Sequence, residues 1–321
     1  RTDKIGDVIL SLPVADALRS NYENSNIYIL VNNRVKELIE DYGSINKVLG
    51  VEELNYFEIK NICKKLDIDL AVILKPEFLV ALAIYSARVK YRLATGYRWY
   101  SFLFNLRHYE HRKHSIKHES EYNLNLLKEL NIHINKNIKP IFKVKQHDYE
   151  SATMKLVTQN FKIDKPYIVI HIPSLGSAKV WPDKYFQELI RLAVNDVNNY
   201  YQIVLTGTNE ERGQVESVIK GLNDERIIMI FNLTLKELAA LYSKALLFIG
   251  NSSGPIHIAA ATGTFVVGFY PNTKPQNYER WGPLTEKKKI FTPDLHNDKM
   301  ESIIPEKVFL FIKDYIKKLI S

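Results

Sequence analysis

The chain has one cysteine, Cys63, in 321 residues. A single thiol excludes an internal disulfide framework and suits a reducing compartment. No uninterrupted apolar run reaches the roughly 20 residues that a bilayer-spanning helix needs. No signal-peptide pattern is read either. The expectation is a soluble protein, or at most one attached to a membrane surface. The histidines at His108, His111, His114 and His118 lack accompanying cysteines or carboxylate spacing, so no metal site is expected. There is no Walker motif, and no recognised nucleic-acid module surrounds the basic segments.

What is present is ordinary in bulk: 46% hydrophobic and 25% charged residues, as in globular proteins. The length exceeds a usual single core, so two α/β domains are expected. The net charge of +8 favours an anionic partner, or reflects a lysine-rich composition. The chain opens at Arg1 without methionine. Arg1–Val8 reads as the loop and helix start after a strand expected upstream.

Apolar strand-length runs alternate with helical patterns along both halves. Strands are expected at Asn26–Val31, Lys47–Val51, Leu70–Leu74, Tyr91–Thr95, Tyr167–Ile172, Tyr201–Leu205 and Ile227–Ile230. This alternation predicts parallel strands with crossover helices, a doubly wound sheet. Pro13 lies inside a helical pattern and predicts a kink or restart.

The stretch Ala245–Tyr270 organises the second half: strand, turn, short helix, turn, strand. Gly250-Asn251-Ser252-Ser253-Gly254 is turn chemistry. Ser253 fits a helix cap, Pro255 the first helical position and Gly263 the stop. A helix starting at the carboxyl end of a parallel strand offers free N–H groups and a positive dipole end to an anion. His257 could donate to the same anion. The stretch fits equally an ordinary strand–helix corner with a capping serine and a packed histidine.

Three other loops carry polar chemistry. Pro173–Pro182 follows a strand and offers Ser174 as donor and Lys179 as a point charge for phosphate. Thr206–Glu211 ends a strand; Glu211 fits either a ribose-binding carboxylate or a helix-start carboxylate. Asp7, beside Gly6, fits a helix-start carboxylate or a general base. Residues 88–118 interleave Arg88, Arg92, Arg98, Arg112 and Lys113 with Tyr97, Trp99, Tyr100, Phe102 and Phe104. That mixture suits nucleic acid, the phosphates and sugars of an acidic glycolipid, or a solvated loop. The tail Pro305–Ile320 is amphipathic, with Val308, Ile312, Tyr315 and Ile316 on one side. It is expected to pack back on the first domain, with a membrane surface as the alternative.

Four segments in order resemble the ADP-heptose:lipopolysaccharide heptosyltransferases, glycosyltransferase family 9. They are Arg1–Pro13, Ile172–Pro182, Thr206–Arg212 and Ile249–Ala259, with Trp281-Gly282-Pro283 and the closing helix also in place. The resemblance implies a GT-B architecture: two Rossmann-like, doubly wound parallel-sheet domains facing a cleft. The acceptor domain would be 1–145 and the nucleotide-sugar domain 146–321. It implies an inverting transfer without metal or cofactor, from an ADP-sugar, ADP-heptose first, to a lipopolysaccharide core or similar acidic glycolipid.

Carried over by position, Asp7 matches the general base, and Ser174 and Lys179 the diphosphate contacts. Glu211 matches the nucleoside-side carboxylate, and Leu233 the residue covering adenine. Ser253, Gly254 and His257 match the phosphate-binding helix start. Many members have aspartate where this chain has Ser252, and a neutral serine cannot replace that charge. Arg88, Arg92, Arg98, Arg112 and Lys113 are expected to hold the acceptor. The implied location is the cytoplasm, with peripheral contact to the inner membrane and no nucleic-acid partner. The alternatives are a GT-B sugar-nucleotide epimerase and a non-catalytic nucleotide-sugar or nucleic-acid binding protein.

Overall fold

The structure is a computed structural model that describes residues 1–320 other than 54, 136, 175–177, 198–199 and 295–297. The chain divides into two compact units, Arg1–Pro140 and Ile141–Ser321. The division falls slightly ahead of the 145–146 boundary read from the sequence. Its local reason is that the Phe142 N–H bonds the Ala261 carbonyl at 2.9 Å, inside the second unit.

The first unit contains α1 (Ile5–Ile9), α2 (Leu12–Asn21), β1 (Tyr28–Asn32), α3 (Asn33–Ile39), β2 (Lys47–Val51) and α4 (Tyr56–Lys65). It continues with β3 (Leu70–Val72), α5 (Phe78–Ser86), β4 (Tyr91–Thr95), β5 (Leu106–His108) and α6 (Glu119–Asn125). The expected break at Pro13 is the gap between α1 and α2, with Pro13 in the first turn of α2, where its missing N–H costs nothing. Asn32 and Asn55 cap α3 and α4 by accepting first-turn N–H groups, which satisfies donors the helix cannot. The strands pair in parallel as β1–β2 and as β3–β4–β5.

The second unit contains α7 (Gln146–Val157), β6 (Tyr167–His171), α8 (Asp183–Asn195), β7 (Gln202–Gly207), α9 (Arg212–Val218) and β8 (Ile227–Phe231). Next come α10 (Leu235–Lys244), β9 (Phe248–Asn251), α11 (Gly254–Ala261), β10 (Val266–Phe269), α12 (Tyr278–Trp281), β11 (Lys288–Phe291) and α13 (Pro305–Ile320). The strand order is β11-β10-β9-β6-β7-β8, all parallel. Counted within this unit, that is the Rossmann order, whose direction reverses between β6 and β9. These two central strands are buried along their length, as apolar runs covered on both faces must be. At Gly250 a Cβ would lie 3.0 Å from the His171 carbonyl oxygen, so the close approach of β6 and β9 favours glycine.

The tail helix packs within the second unit. Val308, Ile312 and Ile316 of α13 lie in the second unit's own core together with Leu189 and Ile190 of α8. Tyr315 packs on Phe265 with ring centroids 4.0 Å apart, and Lys313 pairs with Asp196 at 2.9 Å. These apolar residues of α13 are therefore covered within the second unit. No helix among the described residues is long and apolar enough to cross a membrane.

Trp181 is the anchor of the loop between β6 and α8. It is fully buried, stacks on Phe269 at 4.2 Å and donates its indole N–H to the Ile303 carbonyl at 2.8 Å. Truncating such a side chain leaves a cavity and an orphaned acceptor. Trp181→Ala should therefore lower unfolding free energy by about 3–5 kcal/mol. Urea melts read this loss, and a change below about 1 kcal/mol would contradict the anchoring role.

Candidate functional site

Open α/β sheets bind ligands beyond the carboxyl ends of their strands, where the strand order reverses. In the second unit that point is flanked by the loop after β6 and the turn after β9. The two are tied together: the Asn251 side chain accepts from the Trp181 N–H at 2.8 Å and donates to the Ile172 carbonyl at 3.2 Å. Ser174 follows directly, and its buried Oγ has no hydrogen-bond partner among the described residues. Leu175, Gly176 and Ser177, the middle of the same loop, lie outside the described residues.

The turn after β9 leads into α11. Ser253 occupies the N-cap position, but no side chain caps the helix. Its Oγ donates instead to the Asn251 carbonyl at 3.2 Å. The expectation of a serine cap is corrected, and the outcome matters: the Ser253 hydroxyl does not compete with an anion for the first-turn N–H groups. Gly254, not Pro255, is the first helical residue. Gly263 ends the helix at φ +82, a conformation natural to glycine. His257 is buried in the first turn. Tyr270, a fully buried residue after β10, donates its hydroxyl to the Trp281 carbonyl at 3.4 Å.

Lys179 reaches the same edge. Its ammonium donates to the Asp298 carboxylate at 2.7 Å, to the Asp298 carbonyl at 3.3 Å and to the Thr273 hydroxyl at 3.4 Å. Asp298 also accepts from the Asn272 N–H at 2.6 Å and from the Thr273 hydroxyl. Desolvation opposes ionisation of Asp298, but the hydrogen bonds from Lys179 and Thr273 hold it below the usual carboxylate range. Lys179 is thus a half-exposed cation held by an internal anion. Glu211 immediately precedes α9 and accepts from the Thr208 N–H at 2.8 Å, which matches the helix-start alternative and leaves its place beside β7 intact. Leu233 is half-buried, directly ahead of the Thr234 cap of α10.

In the first unit, Asp7 is the third residue of α1. Its carboxylate pairs with Arg1 at 2.5 Å. Arg1 also pairs with Asp3 at 2.9 Å and Glu119 at 3.2 Å, and Glu119 receives Arg112 at 2.8 Å. Burial pushes the Asp7 carboxyl above its ordinary range, against the opposing pull of Arg1. A half-buried, more basic carboxylate is suited to proton abstraction.

The basic segment divides by geometry. Arg92 donates to the backbone carbonyls of Leu103 at 2.8 Å and Val89 at 2.5 Å, so it braces the β4 region. Arg112 belongs to the Glu119 network. Arg88, Arg98 and Lys113 are exposed. Residues that sequence reasoning missed are Arg1, Glu119 and Asp298. Arg1 sat inside a family-like motif; the other two carried no local signal.

With this geometry in view, comparisons place the chain among known proteins. The model of glycosyltransferase family 9 (heptosyltransferase) matches residues 60–306. Lipopolysaccharide heptosyltransferase 3 of Escherichia coli K12 is 25% identical over 304 residues, covering 88% of this chain and 83% of that protein. The structure of the E. coli ADP-heptose lipopolysaccharide heptosyltransferase II superposes with TM-score 0.83 at 17% identity, covering 100% of this chain and 98% of that one. An E. coli heptosyltransferase solved with ADP superposes with TM-score 0.71 at 16% identity, covering 98% of each. The fold is GT-B, with two Rossmann-like α/β units. The chain belongs to glycosyltransferase family 9, the heptosyltransferase family, and is a glycosyltransferase.

Proposed function

We propose that the protein transfers a heptose or related sugar from an ADP-sugar to a lipopolysaccharide core or similar acidic glycolipid, with inversion and without a metal. The observation that carries this reading is the reversal point of the second unit's sheet. There a helix start that the Ser253 side chain does not cap, the buried Ser174 hydroxyl and Lys179 share one strand edge. A diphosphate matches that donor set in charge and size. The names of the relatives support ADP and heptose as the donor parts.

In the proposed reaction the diphosphate rests against the start of α11. Ser174 and His257 donate to its oxygens, and Lys179 neutralises charge as the anomeric C–O bond breaks. Fixed donors aimed at a departing pyrophosphate stabilise the transition state more than the ground state. Glu211 and Leu233 meet the nucleoside. Asp7 takes the proton of the acceptor hydroxyl, whose oxygen bonds to the anomeric carbon from the face opposite ADP. Arg88, Arg98 and Lys113 attract the anionic acceptor. The uncharged Ser252 stands where the family resemblance leads one to expect a carboxylate, so the donor sugar is the least constrained element.

The deciding experiment is a binding screen of nucleotide-diphosphate sugars, followed by turnover on a truncated core glycolipid. ADP-heptose should bind ahead of UDP- and GDP-sugars, give product of inverted anomeric configuration and turn over in chelator. A preference for UDP- or GDP-sugars would defeat the donor assignment. Conversion of the donor without any acceptor would identify an epimerase instead.

A further inference from the structure

Glu119 is an almost fully buried carboxylate that the proposed reaction does not use. A charge in such a place is costly unless it is paired. The cap of α6 is the His118 side chain, which accepts from the Ser120 N–H at 3.3 Å. Glu119 turns its Oε1 to two arginines, Arg112 at 2.8 Å and Arg1 at 3.2 Å. The Arg1 side chain is buried beside it, and its nitrogens face three carboxylates. Nε donates to Asp3 at 2.9 Å, Nη1 to Glu119 and Nη2 to Asp7 at 2.5 Å. A guanidinium is planar and rigid. Held at Nε and Nη1, it has one direction left for Nη2.

We propose that Glu119 is a positioning residue for the transfer: by fixing Arg1, it holds one oxygen of Asp7 in place and leaves the other to the acceptor hydroxyl. Arg1 bonds Oδ1 of Asp7, and no hydrogen bond among the described residues occupies Oδ2. The helix that carries Asp7 has five residues, too few to hold itself. It is fastened to α6 a second time: Asn123, one turn on from Glu119, donates to the Leu10 carbonyl at 3.3 Å. The charges act in the same sense. Desolvation is the main cause of the raised Asp7 carboxyl; Arg1 opposes it, and the negative charges of Asp3 and Glu119 reinforce it. Further charges near the cluster are Arg112, bound to Glu119, and Lys75 and Glu77, which pair at 3.2 Å near the Arg1 amino group. Glu119 thus keeps Arg1 from suppressing the basicity of the carboxylate that Arg1 anchors. This role rests on the reading of Asp7 as the base.

The test is kinetics of the full chain with ADP-heptose and a truncated core glycolipid. Glu119→Gln should lower kcat about 10- to 100-fold, with the donor KM within about twofold. The acidic limb of kcat/KM should move to lower pH, because a negative charge that favours protonated Asp7 is gone. Glu119→Asp keeps the charge, so the limb should stay in place and part of the lost kcat should return. In the Asp7→Asn background, Glu119→Gln should cost less than about twofold, since it acts through a carboxylate already removed. Circular dichroism melts check that each variant is folded. Should Glu119→Gln fail to fold, Glu119→Asp decides: its shorter side chain loosens the hold on Arg1, and wild-type kcat in it would overturn the inference. An unmoved limb in Glu119→Gln, or its full loss repeated on top of Asp7→Asn, would mark Glu119 as structural and overturn the inference while the base reading stands. Turnover near wild type in Asp7→Asn would defeat the base reading, and this inference with it.

Discussion

Asp7→Asn is expected to lower turnover by about 10²–10⁴-fold while leaving ADP-sugar binding within a factor of about two, because a positioned general base contributes that range and the donor contacts lie in the other unit. The isosteric amide keeps an oxygen that can accept from Arg1, while removing the basic lone pair and the negative charge. Burial raises the Asp7 carboxyl, and Arg1 only partly offsets it. Catalysis needs the ionised form, so the acidic limb of kcat/KM should lie above the pH where an ordinary carboxylate titrates, and should vanish in the variant. Stability carries the opposite sign. A carboxyl whose folded value is raised contributes stability below its unfolded value, and loses that contribution as pH rises through the folded value. At neutral pH the ionised Asp7 is therefore a net cost, and Asp7→Asn should melt no lower than the wild type. Turnover near wild type would remove Asp7 from the chemistry. A loss of activity matched by a lower melting temperature would mark it as structural. The family match begins at residue 60, so α1 is the part for which this measurement decides most.

The second unit was largely legible because its strands are short, apolar and β-branched: Tyr167–His171 and Phe248–Asn251 are buried throughout. The turn after β9 was legible for the same reason, since glycines and serines between two such strands leave few conformations open. What escaped was set by tertiary contact. In β11, Lys288 and Lys289 mask an edge strand whose burial is partial. In β5, Leu106–His108 is too short and too polar to show alternation. The cap assigned to Ser253 failed because its hydroxyl found the Asn251 carbonyl two residues back, a choice that propensity does not resolve. The apolar stripe of α13 was visible, but a stripe does not name the surface it covers. Asp298 stands 119 residues from Lys179, and no spacing rule links the two. Arg1 and Glu119 likewise meet across 118 residues.

That pairing sharpens the prediction for Lys179. In the structure its ammonium is already neutralised by Asp298, so a diphosphate bound as proposed would have to share or displace this contact. Lys179→Ala removes a cation from the proposed clamp. A charge-assisted hydrogen bond contributes about 1.5–3 kcal/mol, so ADP should bind roughly ten- to a hundredfold more weakly. Turnover should fall at least as far, because charge on the leaving diphosphate grows toward the transition state. Asp298→Asn acts in the reverse direction. The exposed part of the pair limits its strength to about 0.2–1 kcal/mol, and its removal both releases Lys179 and takes a negative charge away from the incoming phosphates. ADP should then bind up to roughly fivefold tighter, with the gain abolished in the Lys179→Ala background. Calorimetric titration of ADP into the wild type, the two single variants and the double variant gives this coupling directly. Unchanged affinity in Lys179→Ala would refute the clamp. A gain from Asp298→Asn that survives without Lys179 would show that the aspartate repels the nucleotide directly and does not act through the lysine.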